Sequence, residues 1–297
     1  MGVSSRHILR QGPVLAALGR TAAMAARQRV VGDGEHAPVL PGRELHDDLP
    51  PRERGLIDAY VRQVGGDPRA YRGLVPPHLF PQWCFPLLTR TLEGVPYPLL
   101  GVVNGGCRVR VNGPMRDDEP IQVRAQLVSI EDDGRKALFH QRVVTGTAAQ
   151  PDALEIDVYP IVVLARGDGD SGKRERARVP QDARELLRRR LGRDAGLSYA
   201  KLTGDFNPIH WVAPYARASG FRSVIMHGFG QLALAWEGLV RNPLGGDVGA
   251  IERFEARFTR PLPLPAEVGL YRRGAQLWLA DAVGGPAYLE GSYAVRG

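Results

Sequence analysis

SYAKLTGDFNPIHWVAPYARASGFRSVIMHGFG, residues 198–230, is the stretch on which the reading of this 297-residue chain turns. Tyr199 to Leu202 has the character of a last helical turn, with Thr203-Gly204 as its stop signal. Asn207-Pro208 then favours a turn, because proline disfavours the α region for the residue before it. That turn can fold Asp205 and His210 toward one point. A carboxylate and an imidazole held together can bind and activate a water molecule, since both exchange protons near neutral pH. A solvated loop with a local hydrogen bond is the bland alternative for the same spacing. A metal centre built from Asp205, His210 and His227 is another, but the spacing matches no standard ligand pattern, and no metal is expected.

The end of the stretch offers a second tool. Val224-Ile225-Met226 is apolar enough to line a buried wall. Gly228 then opens a run, Phe229 to Val240, that reads as a buried helix through Leu232, Leu234, Ala235, Trp236 and Leu239. Helix starts carry unpaired N–H groups and a positive dipole end. A glycine there lets a ligand atom approach the amide closely, and such an amide can stabilise negative charge developing on a carbonyl oxygen. The bland alternative is that glycine is common at helix ends.

Taken together, Gly204-Asp205-Phe206-Asn207-Pro208-Ile209-His210, then Pro214, Ala218, Gly220-Phe221 and Ile225-Met226-His227-Gly228, resembles the hydratase-2 motif of the MaoC-like dehydratases, also called R-specific enoyl-CoA hydratases. The resemblance implies that Asp205 and His210 are the catalytic pair and that Gly228 supplies the oxyanion-hole amide. Asn207, by the turn argument, and His227 are the expected substrate-positioning residues. The implied fold is the hot dog, a long helix wrapped by an antiparallel sheet. One departure is visible: members often have Asp two positions after the catalytic His, where this chain has Val212. The implied activity is that of a hydro-lyase of fatty acid metabolism, interconverting trans-2-enoyl and (3R)-3-hydroxyacyl thioesters of coenzyme A or acyl carrier protein. No cofactor is implied beyond the phosphopantetheine of the substrate. A hot-dog acyl-thioester hydrolase and a non-catalytic acyl-thioester-binding module are the alternatives.

Composition narrows the field. The net charge of +7 comes with arginines concentrated in the N-terminal segment and in Lys173 to Arg193. No nucleic-acid recognition motif accompanies them, and nucleic acid is not an expected partner. The charge equally suits phosphate-bearing coenzyme A or an acidic carrier protein. No apolar run is long enough to span a bilayer. Cys84 and Cys107 lack metal-ligand spacing and fit a reducing compartment without a disulfide framework. Residues 1–32 contain no Asp or Glu but carry Arg6, Arg10, Arg20, Arg27 and Arg29. A mobile or surface-packed extension is expected there, in a cytoplasmic protein. An organelle presequence, and a mitochondrial location, is the alternative.

The chain also repeats itself, with an offset of roughly 140 to 150 residues. Ala59 to Gly65 resembles Ser198 to Gly204, Leu74 to Gly94 resembles Phe221 to Gly238, and Cys107 to Pro114 parallels Phe254 to Pro261. Gly65-Gly66 falls opposite Gly204-Asp205, and Phe80-Pro81 opposite His227-Gly228, so the first copy keeps the scaffold without the chemistry. Strands are expected over Gly101–Val111, Ile121–Ile130, Ala137–Thr145, Ile156–Leu164, Ile251–Thr259, Val268–Arg272, Gln276–Ala280 and Ala287–Val295, and short helices over Arg54–Val64 and Ala183–Leu191. Trp236 and Trp278 are expected in the core. The expectation is an α+β double hot dog: a basic extension (1–37), a degenerate unit (38–165), a linker (166–181) and a catalytic unit (182–297). It acts as a monomer with an internal pseudo-dimer, or as a homodimer.

Overall fold

The structure, a computed structural model, describes residues 3–16, 19, 38–99, 102–164 and 177–297. In the N-terminal half the order is β1 (Leu45–Leu49), α1 (Arg54–Val64), α2 (Pro81–Arg90), β2 (Val103–Val111), β3 (Ile121–Asp132), β4 (Lys136–Gly146) and β5 (Leu154–Val163). The C-terminal half runs β6 (Arg184–Leu191), α3 (Ala195–Thr203), α4 (Ala213–Ala218), β7 (Ile225–Met226), α5 (Gly228–Arg241), β8 (Ile251–Phe258), β9 (Leu262–Pro263), β10 (Ala266–Arg273), β11 (Gln276–Ala280) and β12 (Ala287–Val295).

Ten strands make one sheet in the order β1-β3-β4-β5-β2-β8-β12-β11-β10-β6. Read outward from the β2–β8 seam the two halves have the same order: β5 answers to β12, β4 to β11, β3 to β10 and β1 to β6. The seam is antiparallel, with Val109 opposite Phe254 and Cys107 opposite Ala256. Two hot-dog units thus share one continuous sheet, and the fold is an α+β double hot dog.

Patterning explains the layers. Strand β3 alternates buried Ile121, Val123, Ala125 and Leu127 with more exposed residues, as a sheet covered on one face requires. Helix α5 is apolar on nearly every side and is buried from Phe229 to Val240, the condition of a central helix. Helix α1 buries one face through Leu56, Ile57, Tyr60, Val61 and Val64. Trp236 and Trp278 are both buried, and Cys84 and Cys107 are buried free thiols. Among the described residues, no helix is long and apolar enough to cross a membrane.

One local expectation gives way. Ala183–Leu191 does not form a helix: Arg184–Leu191 is edge strand β6, paired with β10. Its arginines carry good helix propensity, but tertiary pairing overrides it, and a charged edge discourages further strand addition. Strand β1 pairs with β3 at the other edge of the sheet, and Leu262 of the short strand β9 pairs with Met226 of β7. The N-terminal segment is docked over residues 3–16, with Val14 and Gln11 fully buried. Of the expected linker, residues 166–176 lie outside the described residues. Val179 beyond them is held to Gly285 by its backbone.

Candidate active site

Helix α3 ends at Thr203, and Gly204 caps it in the left-handed conformation at φ 83°. Gly204 also lies so close to Val14 that a Cβ would sit 2.6 Å from the valine side chain. The chain then turns through Asp205. The Asp205 Oδ1 accepts the Asn207 N–H at 3.3 Å, and the Asn207 Oδ1 accepts the Ile209 N–H at 3.3 Å. Asn207 thereby caps a single 3-10 turn, Pro208–His210. The sequence placed Asn207 against the substrate; here its side chain builds the turn that presents His210.

His210 is 8% exposed and donates its Nδ1–H to the Ile225 carbonyl of β7 at 2.8 Å. That bond fixes the tautomer: Nε2 keeps a free lone pair and can accept a proton. Gly196 of α3 lets the His210 backbone come close, since a Cβ there would collide with the His210 carbonyl oxygen. Side-chain atoms of Asp205, His210 and His227 converge within 4.8 Å of one another.

His227 is 2% exposed and stacks on His210, with ring centroids 3.5 Å apart and planes 23° from parallel. Its Nε2–H donates to the Asp205 backbone carbonyl at 2.9 Å. Tyr199 packs on its ring at 4.8 Å. His227 therefore braces both members of the pair. The bond to the Asp205 carbonyl leaves its Nε2 protonated, 3.8 Å from the Asp205 Oδ2, and its Nδ1 is buried without a hydrogen-bond partner.

Burial sets the electrostatics. It pushes the Asp205 carboxyl above its ordinary value, against opposing pulls from His210 and the Asn207 N–H. It pulls His210 below the ordinary histidine value, with Asp205 opposing. His227 is held well below, by burial first and then by His210. Near neutral pH both imidazoles are uncharged, beside a carboxyl that takes a proton more readily than an exposed one.

Gly228 is the first residue of α5, so its N–H is among the four that have no acceptor within the helix. His227, the N-cap, makes no side-chain bond to those amides. A Cβ on Gly228 would meet the Phe258 ring at 2.8 Å, so glycine is required by packing as well. Val212 caps α4 without a side-chain hydrogen bond, which is the cost of lacking an aspartate there.

The N-terminal half carries the same scaffold without these groups. Gly65 caps α1 at φ 96°, and Asp67 caps a 3-10 turn over Pro68–Tyr71, as Gly204 and Asn207 do. Gly66 stands where Asp205 would be. Pro81 stands at the helix start where α5 has Gly228, and proline has no N–H to offer an oxyanion. The space beside Gly66 is filled by the carboxylate of Glu237 from α5. Glu237 pairs with His78 at 2.9 Å, and His78 also meets the hydroxyls of Tyr60 at 3.1 Å and Tyr71 at 3.2 Å.

With this geometry in hand, comparison is informative. Residues 176–272 match the family model described as the MaoC like domain. The chain carries a MaoC-like domain. The enoyl-CoA hydratase ChsH3 of Mycobacterium tuberculosis is 29% identical over 180 residues, 57% of this chain and 60% of that protein. The match thus spans about three fifths of that relative's length. The crystal structure of HtdX from M. tuberculosis superposes with a TM-score of 0.68 at 21% identity, covering 86% of this chain and all of HtdX. A conserved M. tuberculosis protein described as a double hot dog gives 0.56 at 15% identity over 86% of this chain and 96% of its own. At those identities the two structures speak to fold: the MaoC-like domain sits in a double hot dog.

Within the MaoC-like domain, sequence reasoning missed Gly196 as the seat of the His210 backbone and Tyr199 as a support for His227. Tyr199 had surfaced only as the repeat partner of Tyr60. Nothing in the sequence marks Gly196 out.

Proposed function

We propose that this protein catalyses reversible hydration of trans-2-enoyl thioesters to 3-hydroxyacyl thioesters, with Asp205 and His210 as its acid–base pair. The observation that carries the reading is the His210 tautomer: Nδ1–H is tied to Ile225, leaving Nε2 free beside a buried carboxyl. A water held between the two groups is polarised by Nε2 and the carboxylate. Its oxygen bonds to C3, the C2=C3 electron pair moves toward the thioester, and the oxygen charge that develops is met by the Gly228 N–H. The proton removed from water returns to C2 through the same pair, so no proton is gained or lost overall and no cofactor is needed. The (3R) configuration follows from the family resemblance. The thioester carrier is coenzyme A or acyl carrier protein, and the basic surface suits either.

The test is hydration of crotonyl-CoA, followed by loss of enoyl absorbance, in the wild type, Asp205→Asn and His210→Ala. The expected result is turnover by the wild type and a loss of roughly 100- to 10,000-fold in each folded variant. Release of free thiol without hydration, or full activity in both variants, overturns the assignment.

A further inference from the structure

Four phenylalanine rings meet at the start of α5. Phe229 of α5 packs edge-to-face on Phe80 at 5.0 Å, on Phe85 at 6.4 Å and on Phe258 at 6.1 Å. Phe85 lies on α2 of the N-terminal half and Phe80 immediately precedes that helix, while Phe258 ends β8. Phe80 and Phe229 are buried, whereas Phe85 and Phe258 are only half-buried. The Phe258 ring lies directly against Gly228, so close that a Cβ there would meet it at 2.8 Å.

This cluster stands where the acyl chain has to pass. A thioester oxygen at the Gly228 amide, with C3 turned toward Asp205 and His210, leaves the tail to run on past the first turn of α5. That turn is flanked by Phe229 and Phe258, and the N-terminal half closes the far side with Phe80 and Phe85. Ring pairs at these separations are in direct edge-to-face contact, so no methylene chain passes between Phe229 and any of the other three. A degenerate partner unit could in principle have opened room for a long chain; here its aromatic side chains fill that room instead.

We propose that Phe258 and Phe85, backed by Phe229, form a specificity wall that confines the substrate to short enoyl chains. The inference rests on the hydratase reading and names its substrate class. A rigid wall discriminates at the level of single methylene groups, about tenfold or more for each one it excludes.

The experiment compares kcat/KM for crotonyl-CoA and trans-2-dodecenoyl-CoA in the wild type, Phe258→Ala and Phe85→Ala, with thermal unfolding of each. Phe258→Leu is included as a milder truncation in case the alanine variant does not fold. The wild type is expected to favour crotonyl-CoA by at least about tenfold, and each truncation to raise the long-to-short ratio by at least about tenfold. Equal use of both chains by the wild type, or a ratio that truncation does not move, overturns the wall. Calorimetric binding of butyryl-CoA and dodecanoyl-CoA reads the same wall without turnover. If no thioester is hydrated, the hydratase reading falls while the affinity ratio still decides the wall: a ratio shifted toward dodecanoyl-CoA in Phe258→Ala upholds it. An unshifted ratio, or no binding of either thioester to any variant, refutes it.

Discussion

Replacing His227 separates a residue that braces the catalytic pair from one that holds the substrate. His227→Ala removes the donor to the Asp205 carbonyl, a 2.9 Å bond in a site with little water to replace it. An acceptor left without its donor costs about 1–3 kcal/mol. It also removes the ring stacked at 3.5 Å on His210, worth about 0.5–1.5 kcal/mol for a stacked aromatic pair. If the sum, about 1.5–4.5 kcal/mol, falls on the alignment of Asp205 with His210, kcat drops roughly 10- to 2,000-fold. KM should stay within about threefold, because a ring that is 2% exposed offers no face to the thioester. His227→Gln places an amide N–H near the original Nε2 and should restore a good part of kcat. Initial rates of crotonyl-CoA hydration over a range of concentrations resolve the two constants, and circular dichroism checks the fold. A raised KM at unchanged kcat refutes the bracing role and returns His227 to the substrate. Equal losses in the alanine and glutamine variants refute the part assigned to the hydrogen bond.

Two further perturbations test the environment of the site. Burial raises the Asp205 carboxyl, so at neutral pH its ionised form is a cost to the fold; Asp205→Asn should lose hydration yet unfold, near pH 7, at a temperature no lower than the wild type, and a drop of several degrees counts against this. His210 and His227 are held below the ordinary histidine value. Unfolding lets them take up protons, so the stability they contribute is complete above about pH 6.5 and is lost as the pH falls below it. Urea unfolding across that range should show the decline, and stability that rises on acidification contradicts it. In the sealed half of the molecule, His78→Leu leaves Glu237 buried without its partner, which should cost about 3–5 kcal/mol in chemical denaturation; a cost under about 1 kcal/mol would show that the pair does not hold the halves together.

The catalytic loop was legible because its determinants are local. Asn207-Pro208 dictates a turn, Gly204 ends a helix, and an aspartate and a histidine on either side of that turn are brought together by backbone geometry alone. The repeat was legible for a similar reason: equivalent turns and strand patterns recur in order, and the sheet order then follows from them. The expectation at Ala183–Leu191 failed because nothing local distinguishes an arginine-rich edge strand from a short helix; only pairing with β10 decides it. The bracing contact of His227 was not legible, because the His-Gly pair points to the helix start. The acceptor for its Nε2–H lies 22 residues back, at Asp205. A surface-packed extension was one of the two states expected of the N-terminal segment, but its contacts over residues 3–16 were not legible, for the same reason. Gln11 donates to the Leu202 carbonyl at 3.1 Å and accepts from Gln82 at 3.2 Å, contacts far apart in sequence.

The two halves show how one scaffold yields one site and one lock. Both place a glycine-capped helix, a capped 3-10 turn and the start of a central helix at the same point. In the C-terminal half that point holds Asp205, His210 and a free amide at Gly228. In the N-terminal half the acid is Gly66 and the amide is Pro81, so neither water activation nor oxyanion binding is available there. The vacated space is not left empty: Glu237 and His78 meet in it, a carboxylate and an imidazole again, now contributed by opposite halves and closed in by Tyr60, Tyr71 and Trp236. The chemistry of the two pairs is the same in kind, and access is what divides them. Asp205 keeps 16% of its side chain open, while His78 and Glu237 keep 0% and 2%. The same point of the scaffold thus gathers Asp205 and His210 in one half, and in the other joins the two halves through Glu237 and His78.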